Sequence, residues 1–124
     1  MMATSRGDIR SVSTYVPKEA LIRASLLTRP SPILIHLVRC IYILVSGQPL
    51  PKFPLQIQWL SIRKILLVDD LELQLMCFDL GSVPDRLRRE AERILDLVDE
   101  RDALRCGPEA MRVYEWLSGV LRVA

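Results

Sequence analysis

The longest apolar block of the chain covers residues 31–47. Ser31 is suited to cap a helix, Pro32 to occupy its first position, and Gly47 to end it in a left-handed conformation. In a helix this block has one continuous apolar face, which consists of Leu34, Leu37, Val38, Ile41 and Leu44 or Val45. The pattern therefore predicts a core helix against which the shorter segments pack.

A second helix is expected ahead of this block. Apolar residues recur at helical spacing between Lys18 and Leu27, and Pro30 separates that helix from the next one. Residues 1–14 are small and polar, so we expect a flexible N-terminus there. Residues 15–124 are expected to form a single small globular domain.

The pattern changes after Gly47. The prolines of QPLPKFP predict a stiff connector without regular structure. Leu55, Ile57 and Trp59 then alternate with two glutamines, which is typical of a half-buried strand. This segment therefore predicts the first strand of a small sheet.

Residues 62–68 are a second apolar run rich in branched residues, and another strand is expected after it, where Leu71, Leu73, Leu75 and Cys77 alternate with other residues. Leucine and methionine favour helices, so a helix over residues 71–80 stays open as the alternative. These segments predict a small antiparallel sheet near residues 55–78, in which Asp69-Asp70 is expected to form a hairpin turn.

The C-terminal third predicts a helical hairpin. Ser82 is a candidate cap for its first helix, whose apolar stripe consists of Leu87, Ala91, Ile94, Leu95 and Val98. Gly107-Pro108 ends this helix, and a second one follows with the apolar residues Ala110, Val113, Tyr114, Leu117 and Leu121. The expected fold class is α+β and helix-dominated: two N-terminal helices, a small sheet and the hairpin.

Composition and charge narrow the function classes. Half of the chain is hydrophobic, the net charge is +2, and arginines alternate with carboxylates between residues 85 and 105. This alternation cancels most of the field that a nucleic-acid binder needs, so binding to nucleic acid is not expected. Fourteen arginines stand against three lysines, and asparagine is absent. Such a bias suits a GC-rich genome or an overlapping reading frame of a compact virus.

Catalytic and metal chemistry have little support. His36 is the only histidine, and it lies inside the most apolar segment with no nucleophile motif near it. The three cysteines, Cys40, Cys77 and Cys106, are widely spaced and each has apolar neighbours, which predicts reduced, buried thiols. No phosphate-binding glycine loop occurs. We therefore expect no enzyme activity and no cofactor.

One stretch resembles a known family over about eight residues. Arg63-Lys64-Ile65-Leu66-Leu67-Val68-Asp69-Asp70 is similar to the first strand of response-regulator receiver domains, where two carboxylates at a strand end serve a magnesium site. The resemblance implies a residual cation site at Asp69 and Asp70. A phosphoacceptor aspartate and a later lysine do not follow, so the family's activity is not carried over to this chain.

A second resemblance concerns the segment LVRCIYILVSGQPLP together with Trp59. Its order of helix, glycine turn, prolines and aromatic strand is similar to a segment of rhabdovirus matrix proteins. That resemblance implies a membrane-associated structural protein that uses residues 33–45 and nearby arginines.

Localisation is expected to be intracellular and cytoplasmic. The N-terminus has no apolar segment of the kind that a signal peptide needs. Residues 33–45 are too few to cross a membrane, which takes about 20 apolar residues. Peripheral membrane contact stays open as an alternative.

The favoured function is therefore a non-catalytic interaction or regulatory protein that acts through apolar helix faces on a protein partner, in the manner of a viral accessory protein. The hairpin is expected to pair with itself in a homodimer. The candidate interface residues are the large aromatic and leucine side chains Trp59, Tyr114, Trp116, Leu117 and Leu121. The alternatives are the matrix-like structural protein and a degenerate phosphoreceiver-like domain with the residual cation site.

Overall fold

The computed structural model describes residues 18–122, and helices account for all of the regular structure in that range. The α-helices are α1 (Lys18–Ser25), α2 (Pro32–Ser46), α3 (Leu55–Ile62), α4 (Leu71–Met76), α5 (Asp85–Leu95), α6 (Glu100–Arg105) and α7 (Pro108–Leu121). Two 3₁₀ helices, Arg63–Leu67 and Leu80–Ser82, flank α4. The flexible N-terminus predicted for residues 1–14 lies outside the described residues.

Helix α2 is the centre of the fold, as the apolar block predicts. Its N-cap Ser31 accepts a hydrogen bond from the Leu34 amide, and Gly47 ends it with a left-handed φ of 67°. Both caps are therefore confirmed. Burial extends around most of the helix and covers Ile35, Leu37, Val38, Cys40, Ile41, Ile43 and Leu44. A helix that is apolar on so many sides needs neighbours on each of them.

Those neighbours come mainly from the C-terminal half. Helix α5 packs most extensively against α2, and α7 packs against both α2 and α5. The buried residues of α5 include the predicted Leu87, Ala91, Ile94 and Leu95. Cys40 donates a hydrogen bond from its Sγ to the Ala91 carbonyl at 3.4 Å, so the two helices approach closely where α5 carries a small residue.

The C-terminal hairpin is confirmed in outline, with one break. The first helix starts at Asp85 directly after Pro84, and the backbone turns between Leu95 and α6. Asp99 caps α6 by accepting a hydrogen bond from the Arg101 amide at 2.8 Å. The predicted apolar residues of α7 are all buried.

The predicted α+β fold class is wrong, because residues 55–78 form helices and the described residues contain no strand. In α3 the buried residues are Gln58, Trp59 and Ile62, which share one helical face, while Ile57 is half exposed. In α4, Leu71 and Leu75 are buried one helical turn apart, and Leu73 is exposed between them. The alternation in sequence thus arises from helices that expose apolar residues.

The Asp69-Asp70 turn joins the first 3₁₀ helix to α4 and does not close a β-hairpin. The stretch that resembles a receiver strand, residues 63–70, consists of that 3₁₀ helix and the turn after it, so the strand implied there is wrong. The helix Leu71–Met76 replaces the strand predicted at that position and agrees with the helical alternative left open for residues 71–80.

Candidate interaction surface

The five predicted interface residues lie in the core of the single chain. Trp59, Tyr114, Trp116, Leu117 and Leu121 are each 7% exposed or less. Trp59 also donates a hydrogen bond from Nε1 to the Leu27 carbonyl at 2.7 Å, which ties α3 to the end of α1. Their role in an interface stays a prediction, and the surface that the folded chain offers consists of other side chains.

Trp116 and Tyr114 have internal partners of their own. The Trp116 ring meets Phe78 edge to face, with centroids 5.6 Å apart. The Tyr114 hydroxyl accepts a hydrogen bond from Arg122 at 3.2 Å, and Arg122 also pairs with Asp96 at 2.9 Å. These contacts fasten the end of α7 to the turn that follows α5.

Exposed apolar side chains concentrate in the segment that the sequence analysis assigned to a sheet. Six of the eleven exposed large hydrophobic residues in the described range fall between residues 53 and 76. Four of them recur with one exposed lysine along the loop before α3, α3 itself and the following 3₁₀ helix; we call this set the α3 stripe: Phe53, Ile57, Leu60, Lys64 and Leu67. The four apolar members are 48–55% exposed. Ile57 and Leu60 lie three residues apart on one face of α3.

The inner face of α3 explains why this outer face is so apolar. Trp59 and Ile62 are completely buried against the core, and the Gln58 side chain donates a hydrogen bond to the Pro51 carbonyl at 2.7 Å. The inner residues alone therefore hold the helix in place. Because Ile57 and Leu60 face away from that core, packing among residues 18–122 does not account for them.

A second exposed apolar surface lies on α4, the next α-helix of the chain. Leu73 and Met76 are 60% and 64% exposed and lie three residues apart on the helix. Asp69, Asp70 and Glu72 surround its first turn. We call these five residues the α4 ridge. A cleft of about 350 Å³ runs beside it, with the buried or half-buried Leu21, Leu66, Val68 and Leu71 among its lining.

The two surfaces carry opposite charge. Residues 20–64 contain the basic residues Arg23, Arg29, Arg39, Lys52, Arg63 and Lys64 and no acidic residue. Residues 65–85 contain the acidic residues Asp69, Asp70, Glu72, Asp79 and Asp85 and no basic residue. The α3 stripe is thus apolar and basic, whereas the α4 ridge is apolar and acidic.

Asp69 and Asp70 are the candidates for a cation site. Both are exposed, and Asp70 accepts a hydrogen bond from the Gln74 side chain at 2.7 Å. In residues 18–122 no group of three or more His, Cys, Asp and Glu side chains is arranged to hold a metal ion. Both carboxylates line the cleft beside α4.

His36, Arg39 and Cys40 form a half-buried polar cluster on α2. Arg39 Nη1 lies 2.9 Å from His36 Nδ1. Burial and the neighbouring guanidinium both lower the pKa of His36. Burial raises the pKa of the Cys40 thiol to about 12. The Cys40 thiol is therefore protonated at neutral pH and acts as a packing residue of α2 rather than as a thiolate.

The cysteines separate into two kinds. Cys40 is buried, as predicted, but Cys77 and Cys106 are exposed, so the expectation of three buried thiols is wrong for two of them. Cys106 Sγ lies 3.6 Å from Ser31 Oγ at one end of α2. Cys77 follows α4 directly.

Within the described part of the chain, no helix has the length and apolarity needed to cross a membrane. The apolar residues 33–45, which the matrix-like alternative assigns to membrane contact, are mostly buried between the other helices. Any membrane contact would therefore use other side chains.

Comparisons with protein-family models, curated proteins and solved structures found no match to this chain.

Sequence reasoning missed the residues of both exposed surfaces. It treated Ile57 and Leu73 as the buried faces of strands, and it did not single out Phe53, Leu60 or Met76. Two signals in the sequence identify them: the spacing of residues 53, 57, 60, 64 and 67, and the separation of basic from acidic residues at position 64.

Proposed function

We propose that this protein is a non-catalytic interaction protein that binds a protein partner through the α3 stripe. The single observation that carries the proposal is this row of half-exposed apolar side chains on a helix whose opposite face is fully buried. A contiguous apolar surface flanked by charge is typical of binding sites for protein helices. The composition, with fourteen arginines against three lysines and no asparagine, suits an accessory protein of a compact virus.

The size of the stripe sets the expected strength of binding. Completing the burial of four half-exposed Phe, Ile and Leu side chains contributes roughly 3–6 kcal/mol. Association itself costs about 4–15 kcal/mol in lost freedom. The stripe alone thus supports only weak binding, and a specific complex needs further contacts beside it.

The test uses helical peptides, because a helix presents apolar side chains at the same spacing as the stripe. A displayed library of helical peptides with varied charge is selected on the immobilised chain, and binding of the winners is measured by fluorescence anisotropy. Leu60→Asp is expected to weaken binding about tenfold or more, since a buried carboxylate replaces an apolar contact.

Leu104→Asp is the matched control, because Leu104 is 65% exposed and lies on α6, which belongs to the C-terminal half. It should leave peptide binding unchanged. Peptides that bind Leu60→Asp as well as wild type, or a library that yields no binders, would overturn the proposal.

A second candidate is a membrane-associated structural protein. The observation in its favour is the run of basic residues without any acidic residue over positions 20–64, which attracts an anionic surface. Flotation with anionic and with neutral vesicles tests it. Binding to anionic vesicles that disappears at high salt supports this candidate, and equal recovery with both vesicle types rules it out.

A further inference from the structure

We propose that the chain associates with itself, the α3 stripe of one copy packing against the α4 ridge of a second copy. This inference rests on the proposed function and names the partner of its surface. It is carried by the complementarity of two exposed surfaces on the same molecule, one apolar and basic, the other apolar and acidic.

The charges of the two surfaces are opposite in sign and lie beside the apolar residues of each surface. Lys52 and Lys64 are exposed at the two ends of the pair Ile57 and Leu60. On the ridge, carboxylates precede and flank Leu73. Opposite charges at the rim of an apolar contact guide association and exclude other registers. Two stripes facing each other, or two ridges, would instead place like charges together.

Shape supports the same pairing. The cleft beside the ridge has a volume of about 350 Å³ and a floor of leucine side chains. A closed cavity of roughly 150 Å³ already holds a benzene molecule. The cleft therefore has room for the ring of Phe53, which is 55% exposed at the start of the stripe. Lys18 also lines the cleft, so both signs of charge border it.

The position of the surfaces in the chain determines how copies assemble. The first 3₁₀ helix carries the end of the stripe and packs against α4. In a dimer with a twofold axis, the stripe of each copy would contact the ridge of the other, which gives two equivalent contacts. If each pair of copies made only one such contact, the copies would instead add head to tail into a growing chain. In both arrangements every contact has one stripe and one ridge.

The experiment is a charge-reversal exchange followed by light scattering coupled to size exclusion. One variant is Lys52→Glu with Lys64→Glu, which makes the stripe acidic. The other is Asp69→Lys with Glu72→Lys, which makes the ridge basic and leaves the Asp70 hydrogen bond intact. Wild type is expected to form dimers or larger species at low salt, and each variant alone should associate about tenfold or more weakly.

Mixing the two variants should restore association, because the acidic stripe of one then meets the basic ridge of the other. The remaining contact keeps its original charges. Phe53→Ala should weaken wild-type association, and the control Leu104→Asp should not. Melting curves verify that each variant is folded. Should one variant fail to fold, the loss of wild-type association on raising the salt concentration replaces it as the measurement.

A wild-type chain that stays monomeric at all concentrations would overturn this inference, and so would a mixture that does not associate. Peptide binding lost in Leu60→Asp would still support the proposed function in that case. Binding of the monomer to anionic vesicles, abolished by Lys52→Glu with Lys64→Glu, would assign the stripe to a membrane instead and would also overturn self-association.

Discussion

Helix α2 and the segment from residue 53 to residue 76 are both rich in apolar residues, but they use them differently. Helix α2 runs unbroken from cap to cap and buries apolar residues around most of its circumference. The later segment consists of short helices that bury one face and expose apolar side chains on the other. Apolar content therefore indicates the core in one region and a binding surface in the other.

The same kind of apolar helix face is buried or exposed depending on where the helix lies in the fold. Helix α2 has α3, α5, α6 and α7 packed around it, so every apolar side has a neighbour. The α3 stripe faces outward and has no neighbour of this kind within residues 18–122. An apolar residue that nothing in the chain covers is informative about partners.

The largest expected effect separates the two faces of α3. Trp59→Ala should lower the free energy of unfolding by about 3–5 kcal/mol, because it leaves a cavity and an unpaired Leu27 carbonyl. Leu60→Ala on the outer face should change it by about 0.5 kcal/mol or less. Urea denaturation of both variants measures these changes in the free energy of unfolding. Equal losses in the two variants would contradict the assignment of Trp59 to the buried face and Leu60 to the exposed face of α3.

A matched pair of leucines tests α4 in the same way. Leu75 is 2% exposed and Leu73 is 60% exposed. Leu75→Ala should cost about 2–5 kcal/mol in the free energy of unfolding. Leu73→Ala should cost about 0.5 kcal/mol or less. In a strand both side chains would share a face, so similar losses in urea denaturation would favour the strand over the observed helix.

A smaller effect is expected at the end of α2. Gly47→Ala should destabilise the protein by about 1 kcal/mol, because Gly47 has a φ of 67° and alanine is strained there. A Cβ at this position would meet nothing within 4 Å, so the loss comes from the backbone alone. Gly119→Ala, inside α7 and equally open, should instead stabilise by up to about 1 kcal/mol. Thermal melts of the two variants should shift in opposite directions.

The smallest expected effect is the pH dependence contributed by His36. Its pKa in the folded protein lies below the ordinary value of 6.5 because of burial and Arg39. As the pH falls through 6.5, the unfolded chain therefore binds more protons than the folded chain, and the free energy of unfolding decreases. Melting temperatures between about pH 7.5 and pH 5.5 should fall less in His36→Gln than in wild type. Identical slopes would show that His36 does not contribute.

The candidate surface was only partly accessible to sequence reasoning. The idea of binding through apolar helix faces came from the excess of leucine and aromatic residues. The residues chosen for it, such as Trp59 and Trp116, are the ones that the folded chain buries. Large aromatic residues are typical of cores as well as of interfaces, and residue type alone does not separate the two.

The sequence alone is sufficient to predict those helices whose caps and apolar stripes depend on neighbouring residues. Ser31, Pro32 and Gly47 delimit α2, and the apolar stripes of α5 and α7 identify the faces that they bury. These features depend on neighbours within a few residues, so they do not need the rest of the fold.

Whether residues 55–76 form helices or strands depends on the tertiary structure. Short segments gain most of their stability from packing, and their apolar residues fit a strand period as well as a helix with two apolar faces. Contact of Trp59 with the end of α1, and of the first 3₁₀ helix with α1 and α2, selected the helical arrangement. In this helical arrangement Ile57, Leu60 and Leu73 face outward and belong to the surfaces that we assign to binding. The physical reason is that long-range contacts determine which face of a short element is buried.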